Sequence, residues 1–205
     1  VFLDRTDAGR KLSERIPHYP NSIVLAIPRG GVILGDIIAR KIGCNLDVII
    51  SKKITPPDYS EYAIGAIMYD GTLYKSKYWP KFSDDPRFKD ELTQKQHEVK
   101  RRLEEYRGND KYLLEGKYII LVDDGIATGS TVFAILNWIK KQNPKQIILA
   151  VPVIPITTFD KMKSFVDEMI VLDIPEDFSA VGQFYDDFSQ VTAIQVKKIL
   201  KKYHN

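Results

Sequence analysis

Residues 117–131, KYIILVDDGIATGST, decide how this chain is read. Tyr118–Val122 is an unbroken apolar run rich in β-branched residues, the pattern of a strand buried on both faces. It stops at two adjacent carboxylates, Asp123 and Asp124. Small residues and hydroxyls follow, from Gly125 to Thr131, and residues 132–141 then repeat apolar positions with a helical period. Strand, small-residue loop and helix in that order build an anion site. Glycine lets successive backbone N–H groups converge, and the helix N-terminus adds partial positive charge. Thr128, Ser130 and Thr131 add hydroxyl donors. The two acids would repel a phosphate, so their partners are donors beside it: sugar hydroxyls, a hydrated cation, or both. A ribose 5-phosphate satisfies this arrangement.

Other readings of the same residues fail on composition. A P-loop needs a lysine after its last glycine, and none follows Gly129. No G-x-G-x-x-G follows any predicted strand, and an aspartyl phosphatase of the D-x-D-G type would need an acid where Val122 stands.

A second strand-loop-helix unit lies upstream. Residues 22–27, SIVLAI, form a short apolar run between Pro20 and Pro28, and Pro28-Arg29-Gly30-Gly31 ends it. Apolar positions from Val32 to Ile42 then recur with a helical period, and Gly43 is the stop. Paired glycines permit close backbone approach, and Arg29 can bind phosphate oxygens in bidentate fashion. Two phosphate sites imply one diphosphorylated sugar.

The string VDDGIATGST resembles the signature of the type I phosphoribosyltransferases: a strand, two acids and a loop of the form x-x-x-T-G-x-T. The resemblance implies that Asp123 and Asp124 hold the ribose hydroxyls of 5-phosphoribosyl 1-diphosphate (PRPP). It likewise implies that Gly125 and the loop Ala127, Thr128, Gly129, Ser130 and Thr131 take the 5′-phosphate. Arg29, Gly30 and Gly31 match the family's pyrophosphate loop, in which the peptide before the basic residue is often cis; here that is Pro28–Arg29. Lys53 or Lys52 is placed to neutralise departing pyrophosphate, and Glu61 to support a mobile loop over the site. The opening F-x-D-R-x-D-A-G, residues 2–9, is similar to a group of uncharacterised phosphoribosyltransferase-like proteins.

Residues 174–192 are aromatic-rich without a clean period, and PEDFSAVGQFYDDFSQ is similar to the hood string of hypoxanthine-guanine phosphoribosyltransferases. By that resemblance Phe178, Val181 and Tyr185 contact the base and Asp186 lies near magnesium. Phe178 is one residue further from Gly182 than the family's stacking ring, so Phe184 or Tyr185 are its alternatives. Oxopurine enzymes carry an acid where Ala127 stands and a lysine on the strand at residues 149–154, which has none, so the base stays open.

The expected fold is α/β, a parallel twisted sheet with helices on both faces, as one domain over 1–205. Residues 63–68 and 72–75, joined by Tyr69-Asp70-Gly71, read as a hairpin. An insertion at 77–110 carries one long charged helix with a thin apolar stripe, Phe88, Leu92, Val99, Leu103 and Tyr106, covering the mobile loop or forming a subunit contact. His97 within it reads as a solvated residue.

The net charge of +3 is spread among both signs, which does not imply nucleic acid. One cysteine, Cys44, cannot form an intrachain disulfide and reads as a small hydrophobe. With no secretory pattern and no apolar run long enough to span a bilayer, a cytoplasmic protein is expected. The function expected is transfer of phosphoribosyl from PRPP to a nitrogenous, purine-like base, with Mg2+ as cofactor and a homo-oligomer, a dimer, as the assembly. A regulatory protein that binds PRPP or a nucleotide without turnover is the alternative.

Overall fold

A computed structural model describes residues 1–59 and 62–204. Glu61, expected to support a loop, lies outside the described residues. In chain order the elements are α1 (Arg5–Ser13), β1 (Ser22–Ala26), α2 (Gly31–Ile42), β2 (Asn45–Val48), β3 (Lys52–Ile54), β4 (Gly65–Ile67) and β5 (Leu73–Lys75). There follow α3 (Trp79–Phe82), α4 (Pro86–Arg107), β6 (Tyr118–Val122), α5 (Ser130–Lys140), β7 (Gln146–Val153), α6 (Ile156–Met162), β8 (Glu168–Asp173) and α7 (Ala193–Leu200). Contacts divide the chain into two compact units: Val1–Ile49 with Leu113–Thr128 and Asn143–Asn205, and Ile50–Tyr112 with Gly129–Gln142.

The first unit is built on a parallel five-stranded sheet in the order β2-β1-β6-β7-β8, flanked by helices. Ile119, Ile120, Leu121 and Val122 are all buried, so both faces of β6 are covered, as its unbroken apolar run predicts. On one face α1 packs along α2, where Ala8, Leu12, Leu34 and Ile38 lose all exposure. Asp4 caps α1 by accepting a hydrogen bond from Asp7 N at 2.8 Å. The chain leaves β1 toward β2 but leaves β6 toward β7, on the opposite side. The topological switch therefore falls between β1 and β6, where open α/β sheets bind ligands at the strands' carboxyl ends. Ala26 pairs with Val122, so the loops after these two strands leave the sheet at the same level.

The second unit holds an antiparallel sheet in the order β3-β4-β5 with α5 and α4 against it. The hairpin falls as expected: Asp70 Oδ1 accepts from Thr72 N at 3.0 Å inside the turn. The apolar stripe of α4 is buried within this unit. Phe88 joins Ile54, Ile64, Ile67 and Trp79, while Val99 and Leu103 pack on Ile50. Asp85 caps its start, and Gly108 ends it in the left-handed region (φ 78°) that glycine adopts without penalty. The helix thus covers its own unit's sheet.

The apolar run at 46–51 is not one strand: β2 ends at Val48 and β3 begins at Lys52 in the other sheet. Ile49 and Ile50 are buried between them, so the hydrophobic pattern runs across the break without marking it.

Candidate functional site

The loop after β1 closes tightly. Gly31 N donates to Ile27 O at 3.1 Å, the Pro28–Arg29 peptide is cis, and α2 starts at once with Gly30 as its N-cap. No side chain caps α2; its first N–H groups, at Gly31, Val32 and Ile33, donate to the carbonyls of Ile27, Arg29 and Gly30. Arg29, just ahead of them in the turn, is exposed.

The loop after β6 meets this turn directly. A Cβ added to Gly30 would lie 2.1 Å from Asp124 Oδ2, and one added to Gly31 would lie 3.1 Å from the Cα of Asp123. Gly30 has φ −60° and ψ −35°, which any residue can adopt, so space alone demands glycine there. The two acids are half-buried, and Asp123 Oδ1 accepts from Asp124 N at 2.8 Å. Burial, and then the neighbouring Asp124 charge, push the Asp123 carboxyl well above the usual range.

Downstream, Ile126 N donates to Val153 O at 3.0 Å, and Thr158 Oγ1 donates to Ala127 O at 2.7 Å, which fixes this part of the loop on the sheet. Ala127 and Thr128 are exposed. In the second unit, Gly129 is the N-cap of α5 in the left-handed region (φ 84°), and no side chain caps that helix either. Ser130 is buried, and Thr131 O accepts from Ser51 Oγ at 2.8 Å. Thus both helices that follow the glycine-bearing loops keep N-termini without a side-chain cap.

A profile of the phosphoribosyl transferase domain matches residues 5–189. The chain belongs to that family. Two proteins of Mycobacterium tuberculosis, from strains CDC 1551 and H37Rv, each named "putative phosphoribosyl transferase", are 34% identical to it over 209 residues. The match takes in 100% of this chain and 47% of theirs, so the chain spans about half the length of the curated relatives it matches. The crystal structure of TT1426 from Thermus thermophilus has 34% identity and a TM-score of 0.85, over 100% of this chain and 99% of that one. A hypothetical protein of Neisseria gonorrhoeae, solved with bound ppGpp, shares the fold at 13% identity and a TM-score of 0.52, over 98% of each chain.

Within this family member the hood segment sits on the acid loop. Val181 Cγ1 would lie 2.5 Å from a Cβ on Gly125. The hood also pairs with the N-terminal segment: Phe2 N donates to Phe184 O, and Asp186 N to Phe2 O, both at 2.8 Å. Phe178 and Phe184 stack at 5.4 Å and are both partly exposed. Tyr185, by contrast, is buried, its ring against Phe2 and Phe188 and its hydroxyl donating to Asp124 O at 2.6 Å. Asp186 is exposed.

Of the two lysine candidates, Lys52 is paired with Glu98 of α4, and that pairing holds the Glu98 carboxyl below its usual range. Lys53 sits on β3, opposite Ala66 in the register, exposed and without an ion pair among the described residues.

One participant has no role in the sequence reading. Arg5 Nε donates to Asp124 Oδ2 at 2.8 Å, its Nη1 donates to Ser189 O at 2.6 Å, and its Cζ lies 4.0 Å from the centre of the Phe188 ring. The only signal was the opening F-x-D-R-x-D-A-G, which carries Arg5 without saying what it touches.

Asp123 and Asp124 offer hard carboxylate oxygens. Among the described residues no group of three or more His, Cys, Asp or Glu is gathered for a metal. Carboxylate oxygens are the donors that hard divalent cations such as magnesium take. Among the described residues no helix is long and apolar enough to cross a membrane.

Proposed function

We propose that the protein is a magnesium-dependent phosphoribosyltransferase that moves the phosphoribosyl group of PRPP to a nitrogenous base of the purine type and releases pyrophosphate. The observation that carries this reading is the contact between the two loops: Gly30 and Gly31 press against Asp124 and Asp123 at the switch between β1 and β6. A basic turn and an acid pair at that spacing suit a sugar with phosphate at its anomeric end and hydroxyls alongside.

Asp123 and Asp124 accept hydrogen bonds from the ribose 2′ and 3′ hydroxyls. Gly125, Ala127, Thr128, Gly129, Ser130 and Thr131 take the 5′-phosphate, and Arg29 with the tight turn at Gly30 and Gly31 takes the pyrophosphate. Lys53 adds charge as that group leaves. Magnesium, when bound, would offset the charge of the diphosphate beside the ribose hydroxyls that Asp123 and Asp124 orient. The C1–O bond to pyrophosphate breaks ahead of C1–N bond formation, through an oxocarbenium-like transition state, and the base loses its ring proton to solvent. Positioning and electrostatics supply most of the rate. In the hood, the partly exposed rings of Phe178 and Phe184, with Val181, contact the base in this reading, whereas the Tyr185 ring is buried against Phe2 and Phe188. The homo-oligomer and the role of Asp186 near the metal belong to the same reading.

The test is pyrophosphate release from PRPP with a panel of purine and pyrimidine bases, with and without magnesium, beside calorimetric PRPP binding. Release with one base class supports the transferase. Saturable binding without release on any base supports a non-catalytic PRPP-binding regulator. No binding of PRPP at all overturns the site.

A further inference from the structure

The proposed ribose clamp contains a cation that the sequence reading did not use. Asp124 and Arg5 are nearly enclosed, with side-chain exposures of 14% and 12%. The Arg5 guanidinium is held by three different contacts: the Asp124 carboxylate, the Ser189 carbonyl and the face of Phe188. It is therefore fixed in direction as well as position. Space for it is reserved, since a Cβ on Gly30 would stand 2.5 Å from Arg5 Nε. The backbone of Asp124 is tied as well, by the Tyr185 hydroxyl. Arg5 takes Oδ2, and the Asp123 carboxyl is the other side-chain neighbour of the Asp124 carboxylate.

We propose that Arg5 is the positioning residue of the ribose clamp: it holds Asp124 by Oδ2 so that Oδ1 is presented to a sugar hydroxyl, and it ties that orientation to the hood through Phe188 and Ser189. This rests on the PRPP reading above and deepens it. Three features argue for positioning. Two adjacent carboxylates crowd one another, and a fixed guanidinium offsets that repulsion while it sets the direction of Asp124. A pair kept purely for stability gains little from being nearly enclosed, because desolvation offsets most of the attraction. Lastly, the guanidinium plane spans two partners at once, which a point charge cannot do. The hood contacts and the alignment of the acid thus run through one side chain.

The test is a double-mutant cycle read by PRPP calorimetry at fixed magnesium, with thermal melting as the control for folding. Arg5→Met is expected to weaken PRPP binding by about ten- to a hundredfold, the usual worth of a charged hydrogen bond. In an Asp124→Asn background, adding Arg5→Met should change binding by less than about twofold, since the partner through which Arg5 acts is already neutral. Arg5→Lys should recover only part of the loss, and it replaces Arg5→Met in the cycle if that variant lacks a cooperative melt. A merely structural arginine would lower the melting temperature and add its full effect in both backgrounds, which overturns the proposal. If Asp124→Asn binds PRPP like the parent, the PRPP site itself falls. If Asp124→Asn loses binding while Arg5→Met keeps it, only the role of Arg5 falls.

Discussion

The Tyr185 hydroxyl donates to the backbone carbonyl of Asp124 at 2.6 Å, across 61 residues of chain. It anchors the acid loop to the segment that closes over it, and it occupies the polar end of a ring that the sequence offers as a base contact. Burial, followed by the Asp124 charge, keeps the phenol far from ionising. Tyr185→Phe is therefore expected to cost about 1 kcal/mol, the net value of a buried hydrogen bond, with the Asp124 carbonyl left unpaired. Chemical denaturation checks the stability. The same variant should weaken PRPP binding several-fold while leaving the choice of base unchanged.

Gly30→Ala tests whether contact between the two turns is required. The backbone tolerates alanine, but the new methyl carbon would overlap Asp124 Oδ2 and Arg5 Nε. Displacing that pair should cost about 1–3 kcal/mol in stability, as overpacking does, and at least about tenfold in PRPP affinity. Binding at parental strength would mean that the loops do not act on one ligand.

Asp123→Asn should separate function from stability. The folded-state carboxyl titrates above the ordinary range, so its stabilising contribution is present in acid and is lost as pH rises through the raised value. Above the ordinary carboxylate range the raised value makes this half-buried acid a net cost. Asparagine can still accept from Asp124 N, so the variant should melt about 2–4 °C higher at pH 7, a gain of roughly 1 kcal/mol. That gain should vanish in acid, where the parent is protonated. PRPP binding should fall sharply at every pH, and a destabilised variant at pH 7 would contradict this account of the acid pair.

Lys53→Ala and Lys52→Ala are expected to part company. Lys53 is exposed and lacks an ion pair among the described residues, so its loss should slow pyrophosphate release about tenfold with little change in melting. Lys52 holds Glu98, and its loss should cost no more than about 1 kcal/mol of stability, as for other partly exposed pairs, and leave turnover nearly intact. Melting curves and single-turnover rates distinguish the two.

What was legible in the sequence had local causes. An apolar run with both faces buried announced β6, and proline and glycine punctuation bounded β1 and the hairpin. The break between β2 and β3 was not legible, because Ile49 and Ile50 are buried like the strand residues on either side. Nor was the fate of Tyr185, whose composition is equally that of a stacking ring and of a buried anchor.

By itself the sequence determined the α/β class, the two loops and the acids, since strand periodicity, glycine placement and carboxylate position are properties of short segments. Only the tertiary structure decided that Gly30 lies against Asp124, that Arg5 balances that acid, and that Tyr185 faces inward. The two hydrogen bonds among these relations join residues 61 and 119 positions apart. No local pattern encodes which distant side chain will arrive beside a given charge; the strand order and the closure of the hood over it do.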